Sequence, residues 1–585
     1  MTGVARVERA LAQGNALLAY DLASAVLRRD PQSVRGRQLQ ALALARSGAA
    51  AQARRLLTDL RDEGCRDEET LGLLASVTKD LALRRSARSP QLQEAFDLYF
   101  EAYERHESYW AGINAATLAL LMEDEGRARA IAACVRELCT RRLEACPVDE
   151  RYWIVATIAE AALIAGDLDG ARRWYAQALA AAGQRMGHLA STRRNARLLL
   201  EALRRPEALD ELVPIPCVAV FAGHRTDTAD RIPSRFPPDA EGAVHAAILR
   251  HIQAVRCGVG YASAAAGGDI LFLEAVLDAG GEIHVVLPFE RDEFLRTSVG
   301  AGTAWAERFD RVLARAREVI VASPHPLPRL PASFQYANEL LLGLAMMHAR
   351  QFETTPAALA LWDGATGEGA GGTSDAVSAW LDSGLAPLII DPRTQRHWTA
   401  APRPETERGC APGTGDADVL SMLFADAVGY SRMTDAQVAT FTSEFLGRVR
   451  TLVDALPEPP LVVNTWGDGL FFAQRSPEDG ATLALGISAL SAPEAGGYEF
   501  RIALHAGPAT RFLDPLTGRI NFAGSHVSRA ARIEPVTPPG QVYASQAFVA
   551  LLLARGGRVD SQYVGSVPLA KRYGPLPMYH LTAQR

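Results

Sequence analysis

Through residues 1–205 the apolar positions fall in a helical pattern, in a stretch rich in Ala, Leu and Arg and sparing in proline. The texture changes at 206–216, where Pro206, Pro214 and Pro216 break helices and β-branched runs begin. Those runs predict strands over 215–221, 256–261, 282–287, 318–322, 358–362 and 387–390. Helical stretches at 242–255, 269–278, 304–315 and 335–350 separate them, an alternation that argues for a parallel α/β sheet. Residues 392–417 hold Pro392, Pro402, Pro404, Pro412 and three glycines without periodicity, and read as a linker that separates the last unit from everything before it. After it comes an apolar run, 419–425, ending at Asp426, then a helix over 435–456 and a hairpin over 461–466 and 470–473. A helix at 478–490, a strand at 500–505, a short helix opened by Gly524 and running through 533, and strands at 541–545 and 579–581 complete the unit.

The helical region carries an internal repeat. Gly14 is followed at +5 by Ala19 and at +8 by Leu22; Gly48, 34 residues later, is followed by Ala53 and Leu56 at the same offsets, and Gly166 by Ala171 and Trp174. A step of 34 is the tetratricopeptide period. The small Ala lets two helices approach, and the Leu or Trp fills the space between them. Tyr109-Trp110 and Tyr152-Trp153 are a second echo. The stretch also resembles the TRAF-binding-type helical repeat region. Solenoids bind partners or scaffold neighbouring domains, so a protein partner on these repeats is the expectation.

Ligands of a parallel α/β sheet sit at the carboxyl ends of its strands. Those ends carry Gly223-His224-Arg225, Gly260-Tyr261, Pro288-Phe289 and Asp363-Gly364. Gly267-Gly268-Asp269 precedes a helix start, where backbone N–H groups are expected to cradle a phosphate. Through residues 267–275 (GGDILFLEA) and 284–289 (HVVLPF), this domain resembles the SLOG group of Rossmann-like domains. That resemblance implies a nucleotide-like ligand. Gly371-Gly372-Thr373 lacks the glutamate that closely follows the Gly-rich segment in the hydrolytic members.

The chain has 585 residues, enough for three or four domains at roughly 150 residues each. A net charge of −6 with 22% charged residues gives no basic footprint for a nucleic acid. Seven cysteines without paired C-x-x-C spacing read as reduced structural thiols, including the Cys134, Cys139 and Cys146 group. No signal-peptide stretch opens the sequence, and charges interrupt every candidate membrane span, so a cytoplasmic protein is expected.

Two aspartates carry the chemistry of the last unit. Asp426 ends an apolar strand, and Asp468 sits in the tight turn Gly467-Asp468-Gly469. Carboxylates at the ends of neighbouring strands suit a pair of divalent cations, and a cation pair suits phosphoryl-type transfer from a nucleotide. Arg532 is the candidate for countering the charge that builds up in such a transfer. The β-α-β-β-α-β order suits a ferredoxin-like core with additions.

Four ordered blocks in 418–585 resemble the catalytic domain of class III nucleotidyl cyclases: residues 424–431 (FADAVGYS), 465–469 (TWGDG), 501–507 (RIALHAG) and 524–533. The expected fold class is thus multidomain. An N-terminal α-solenoid spans 1–205, a central α/β Rossmann-like domain 212–391, and a C-terminal α+β ferredoxin-like cyclase domain 418–585. The resemblance implies that Asp426, Asp468 and the Ala427 carbonyl hold two Mg2+ or Mn2+ per site, and that amides of Val428, Gly429, Tyr430 and Ser431 bind phosphate oxygens. It implies Arg532 at the transition state, Ser528 as the ribose-orienting residue, and Lys571 or the neighbouring Arg572 on the triphosphate. It implies a head-to-tail homodimer whose site takes the aspartates from one chain and the arginine from the other. The two base-selecting positions hold Asn464 and Asn521. Asparagine donates and accepts, so neither dictates a base. ATP is the expected substrate, with GTP and pyrimidine nucleotides open, and an inactive signalling scaffold is the alternative to an enzyme.

Overall fold

The computed structural model describes the chain except residues 1–2, 13–15, 47–49, 86–89, 183–185, 229–230, 325–329, 353, 367–370, 404–416, 492–497, 558, 570–573 and 584–585. Eleven helices of at least ten residues, from Gly3–Ala12 to Met186–Ala202, form the first part of the described chain. Each packs on the next, and alternate helices also touch, as in a solenoid. Ala19, Ala53 and Ala171 are fully buried, so the small residue of the repeat marks the close approach between helices. Gly14 and Gly48 lie outside the described residues. The described cysteines are free thiols. No described helix is long and apolar enough to cross a membrane.

The central unit is built on β1 (Cys217–Gly223), β2 (Cys257–Ala262), β3 (Glu282–Leu287), β4 (Glu318–Val321), β5 (Ala357–Leu361) and β6 (Leu388–Ile390). They lie in the order β4-β3-β2-β1-β5-β6 and are all parallel, as the alternation of strands and helices predicts. A seventh strand, β7 (His397–Thr399), pairs antiparallel with β6 inside the stretch assigned to a linker. The Asp391 carboxylate accepts from the Arg393 and Thr394 amides at 2.8 and 2.9 Å, closing the turn that returns the chain to the sheet.

Among its described residues the last unit has eight strands: β8 (Ala417–Ala427), β9 (Val462–Trp466), β10 (Gly469–Gln474), β11 (Phe500–Leu513), β12 (Ile520–Ala523), β13 (Val542–Ser545), β14 (Asp560–Pro568) and β15 (Pro575–Thr582). The order is β14-β15-β13-β11-β8-β10-β9, with β12 on β11. The inner run β11-β8-β10-β9 is antiparallel throughout, which is the ferredoxin-like arrangement. Strand β11 extends eight residues beyond the predicted 500–505, and β12, β14 and the Gln546–Ala554 helix were not anticipated.

The central and last units are fused rather than separated. One apolar core takes Val218, Val220, Leu340 and Leu344 from the first and Leu423, Leu504, Phe548 and Leu551 from the second. The Leu330–Gln351 helix lies against the Gln546–Ala554 helix, and a Cβ on Gly343 would stand 2.0 Å from the Ala550 carbonyl oxygen. Only glycine permits that approach. Arg555 donates to Glu339 at 2.8 Å beside it, and Tyr336 donates to the Ala506 carbonyl at 3.2 Å. The solenoid joins this body where Gln562 of β14 donates to the Ala45 carbonyl at 2.8 Å.

Gly343→Leu should force the two helices apart and lower stability by about 3 kcal/mol. Chemical denaturation of the full chain checks this, and an unchanged midpoint would contradict the close approach.

Candidate active site

Strand register assembles the carboxylates. Residues Leu420, Met422, Leu423 and Ala425 are buried, which fixes β8 in the middle of the sheet. Asp426 pairs with Gly469 of β10 on one side and with Arg501 of β11 on the other. The strand runs one residue past Asp426, to Ala427. The Ala427 amide donates to the Asp468 carbonyl at 3.2 Å. In a strand the N–H and C=O of one residue leave on the same side, so the Ala427 carbonyl also faces the Asp468 turn. That turn has only two residues, and Gly467 takes φ +74°, a conformation that side-chain-bearing residues avoid.

The electrostatics follow from this crowding. Burial raises the Asp426 carboxyl, the charge of Asp468 raises it further, and Arg501 opposes both. Glu534, at the end of the Ser525–Ile533 helix, is pushed up to about 7 by burial and by Asp426, with Asp468 adding and Arg501 opposing. Asp426, Asp468 and Glu534 thus feel one another's charge, and the Arg501 guanidinium offsets part of it. Their mutual repulsion and all-oxygen donor set fit a hard divalent cation such as Mg2+ or Mn2+.

Sequence reasoning missed Glu534 and Arg501. Glu534 lies two positions past Arg532 and was in view. Nothing in the sequence says that Arg501 faces Asp426, because that depends on the β8–β11 register.

The remaining candidates distribute over other elements. The Val428 amide donates to the Glu499 carbonyl at 2.8 Å, so it belongs to the sheet and is a correction to the phosphate-binding set. Gly429, Tyr430 and Ser431 form the turn that follows, with the Arg432 amide returning to the Gly429 carbonyl at 3.0 Å. Asn464 lies on β9, and Asn521 on β12, which packs beside β9. The Asn521 side-chain oxygen accepts from the Phe522 amide at 2.9 Å, leaving its NH2 group as the outward donor. Ser528 and Arg532 are four apart on the Ser525–Ile533 helix and share a face. Arg501 is a cation that acts on Asp426 within the chain. Lys571 and its alternative Arg572 lie outside the described residues.

The helix carrying Ser528 and Arg532 is tied to the central unit by a buried chain of hydrogen bonds. Ser323, just past β4, lies 2.9 Å from His526 Nε2. His526 Nδ1 lies 3.0 Å from His505 Nε2, and His505 Nδ1 lies 2.7 Å from the Ser545 hydroxyl. All four residues are at most 1% exposed. Burial, followed by the charge of Arg529, pushes His526 down to about 3; burial and His526 lower His505 well below its ordinary value. Both imidazoles are thus neutral, each donating once and accepting once.

In the central unit the strand order reverses between β1 and β5, which opens a crevice at their carboxyl ends. There Asp363 accepts from Arg235 at 2.8 and 2.6 Å and lies 3.1 Å from His224. Despite burial, these hydrogen bonds hold the Asp363 carboxyl well below the carboxylate range. Part of the expected phosphate cradle at Gly267-Gly268-Asp269 is engaged by the chain itself. The Gly268 amide donates to the His224 carbonyl at 3.0 Å, and the Asp269 carboxylate accepts from the Gly223 and Ala265 amides, both at 3.2 Å.

A family model described as Tetratricopeptide Repeats-Sensor (TPR-S) matches residues 15–119, so the repeat reading holds across that stretch. No curated protein matches the chain. Among solved structures, 29% of this chain is similar to the whole guanylate cyclase domain of RhGC from Catenaria anguillulae, at 18% identity and a TM-score of 0.25. It is similar over 29% of its length to 96% of the adenylyl cyclase CyaB from P. aeruginosa (14% identity, TM-score 0.26). A Trypanosoma brucei adenylate cyclase is matched over 90% of its chain and 29% of this one (20% identity, TM-score 0.24).

His526→Ala leaves the Ser323 hydroxyl and His505 Nε2 without their partner in the core and is expected to cost roughly 2–4 kcal/mol. Denaturant unfolding of the full chain measures it, and a loss under about 0.5 kcal/mol would mean that the chain of bonds is not formed.

Proposed function

We propose that residues 418–585 form a class III nucleotidyl cyclase domain that converts a nucleoside triphosphate to a 3′,5′-cyclic nucleotide and pyrophosphate. The observation that carries the reading is the pairing of Asp426 with Gly469, which sets the Asp468 turn beside the end of β8. Asp426, Asp468 and the Ala427 carbonyl are the groups that would hold two Mg2+ or Mn2+ ions. When bound, such cations supply Lewis acidity to the ribose 3′-hydroxyl and countercharge to the triphosphate.

In the reaction the 3′-oxygen forms a bond to the α-phosphorus, the bond from that phosphorus to the bridging oxygen of the β-phosphate breaks, and the hydroxyl proton leaves to solvent. Arg532 counters the negative charge on the reacting phosphoryl group. Ser528, on the same helix face, orients the ribose. Gly429, Tyr430 and Ser431 supply turn amides to the phosphates, and Lys571 the far end of the triphosphate. Two sites form in a head-to-tail homodimer, each with aspartates from one chain and Arg532, Ser528, Asn464 and Asn521 from the other. Exposed Val463, Trp466, Leu513 and Ile520 on and around β9, β11 and β12 supply apolar surface for such an interface.

ATP is the expected substrate. The outward NH2 of Asn521 favours a second reading, a base presenting a carbonyl there, such as guanine or uracil. Solenoid and central unit act upstream as partner-binding and ligand-sensing parts that set cyclase geometry; the shared core and the Ser323–His526 contact support this. The reversal crevice beside His224, Arg235 and Asp363 is the place for a nucleotide-like ligand.

Purified full-length protein given all four ribonucleotides and Mn2+ should release one cyclic nucleotide, identified by mass. Asp468→Ala and Arg532→Ala should each abolish turnover with folding intact. An equal mixture of these two variants should recover about a quarter of wild-type activity, since half the dimers are mixed and each has one intact site. No product from any nucleotide favours the scaffold alternative; activity without recovery on mixing breaks the two-chain site. Ser323→Ala should change turnover severalfold in the intact chain, and an unchanged rate would remove the coupling through His526.

A further inference from the structure

Away from the nucleotide site, Glu282, His284 and His348 bring ligand atoms within 4.8 Å of one another. Glu282 and His284 are two apart on β3 and so project from one face of the sheet. His348, in the last turn of the Leu330–Gln351 helix, lies over that face, its ring centroid 5.5 Å from that of His284. We propose that these three side chains form a transition-metal site of zinc type in the central unit.

The arrangement around the histidines is the one a metal site needs. His284 Nε2 lies 3.3 Å from a Glu282 oxygen, and its Nδ1 faces Glu318, directly opposite on β4, at 3.5 Å. That Nδ1 is buried and makes no hydrogen bond to protein. With a metal on Nε2, Nδ1–H points at the Glu318 carboxylate, the orienting partner that metal-bound imidazoles take. His348 Nδ1 lies 2.9 Å from the Tyr261 hydroxyl, which assigns Nε2 to the metal by the same logic. Tyr261 also stacks on His284, with centroids 4.6 Å apart. Two imidazoles and one carboxylate suit Zn2+, whereas Mg2+ and Ca2+ prefer oxygen donors.

The site has an entry path, because the Glu282 side chain is 44% exposed. Its position also gives it a purpose. The metal would pin the Leu330–Gln351 helix to β3, five residues from Gly343, where the helix meets the cyclase-like unit. The competing arrangement is metal-free: a His284 imidazolium held between Glu282 and Glu318, whose carboxylates raise His284 against the effect of burial.

Zinc analysis of the full-length protein, stripped with chelator and dialysed against Zn2+, decides between them. One equivalent should persist in an Asp426→Asn/Asp468→Asn double variant and disappear in His348→Gln. Zn2+ should raise the melting temperature of the double variant by several degrees and leave His348→Gln unmoved. Tyr261→Phe should weaken binding roughly 10–100-fold. Glu282→Gln, exposed and safe for folding, should weaken binding at least tenfold and decides the matter if His348→Gln does not fold. Zinc content that is equal in wild type and in whichever of these variants folds, or no zinc and no thermal shift in the double variant, would overturn the proposal and leave the ion pair.

Discussion

The antiparallel pairing of β8 with β10 and β11 is the constraint on which the candidate site depends. A strand buried on both sides has one acceptable register, because a slip of one residue would turn Leu420, Met422 and Phe424 to the opposite face. That register sets Asp426 opposite Gly469 and Arg501 at once. The glycine leaves the carboxylate room beside the Asp468 turn, and the arginine offsets part of the charge that accumulates there. Glu534 enters from the helix end. The carboxylates are thus brought together by backbone hydrogen bonds, and the cost of their repulsion is met by the stability of the sheet.

A second constraint lies between units. The Leu330–Gln351 helix belongs to the parallel sheet by chain order and to the antiparallel one by packing. Its glycine lets it lie directly on the Ala550 backbone, and Tyr336, Glu339 and Leu344 extend the contact on either side. A shared core transmits displacement, because close-packed side chains do not deform continuously. The neutral histidine pair is part of that contact, and its removal would strand buried donors and acceptors in both units. Under the proposed function, these contacts are the route by which β4 or this helix would act on the segment that holds Ser528 and Arg532.

The central unit also shows how a glycine-rich signal misleads. Gly267-Gly268-Asp269 has the look of a phosphate loop, yet its acidic residue is buried and accepts from the Gly223 and Ala265 amides, and the Gly268 amide is held by the His224 carbonyl. The crevice between β1 and β5 instead gathers His224, Arg235 and Asp363 from segments far apart in the sequence.

Much of the architecture was legible in the amino-acid order. Local periodicity marked the first 205 residues as helical and placed all six parallel strands within a few residues, because apolar spacing and proline breaks act over one element at a time. The repeat at 34 residues located Ala19, Ala53 and Ala171 at the helix contacts. Asp426, Asp468 and Arg532 stood out through their neighbours in sequence. What required the tertiary structure is everything that joins distant segments: Arg501 and Glu534 beside Asp426, β7 inside a supposed linker, the fused core at Gly343, the Ser323–His526–His505–Ser545 chain, and the Glu282–His284–His348 group. Register, close approach and hydrogen bonding across units are properties of pairs of segments, and a one-dimensional pattern carries no record of which segment will meet which.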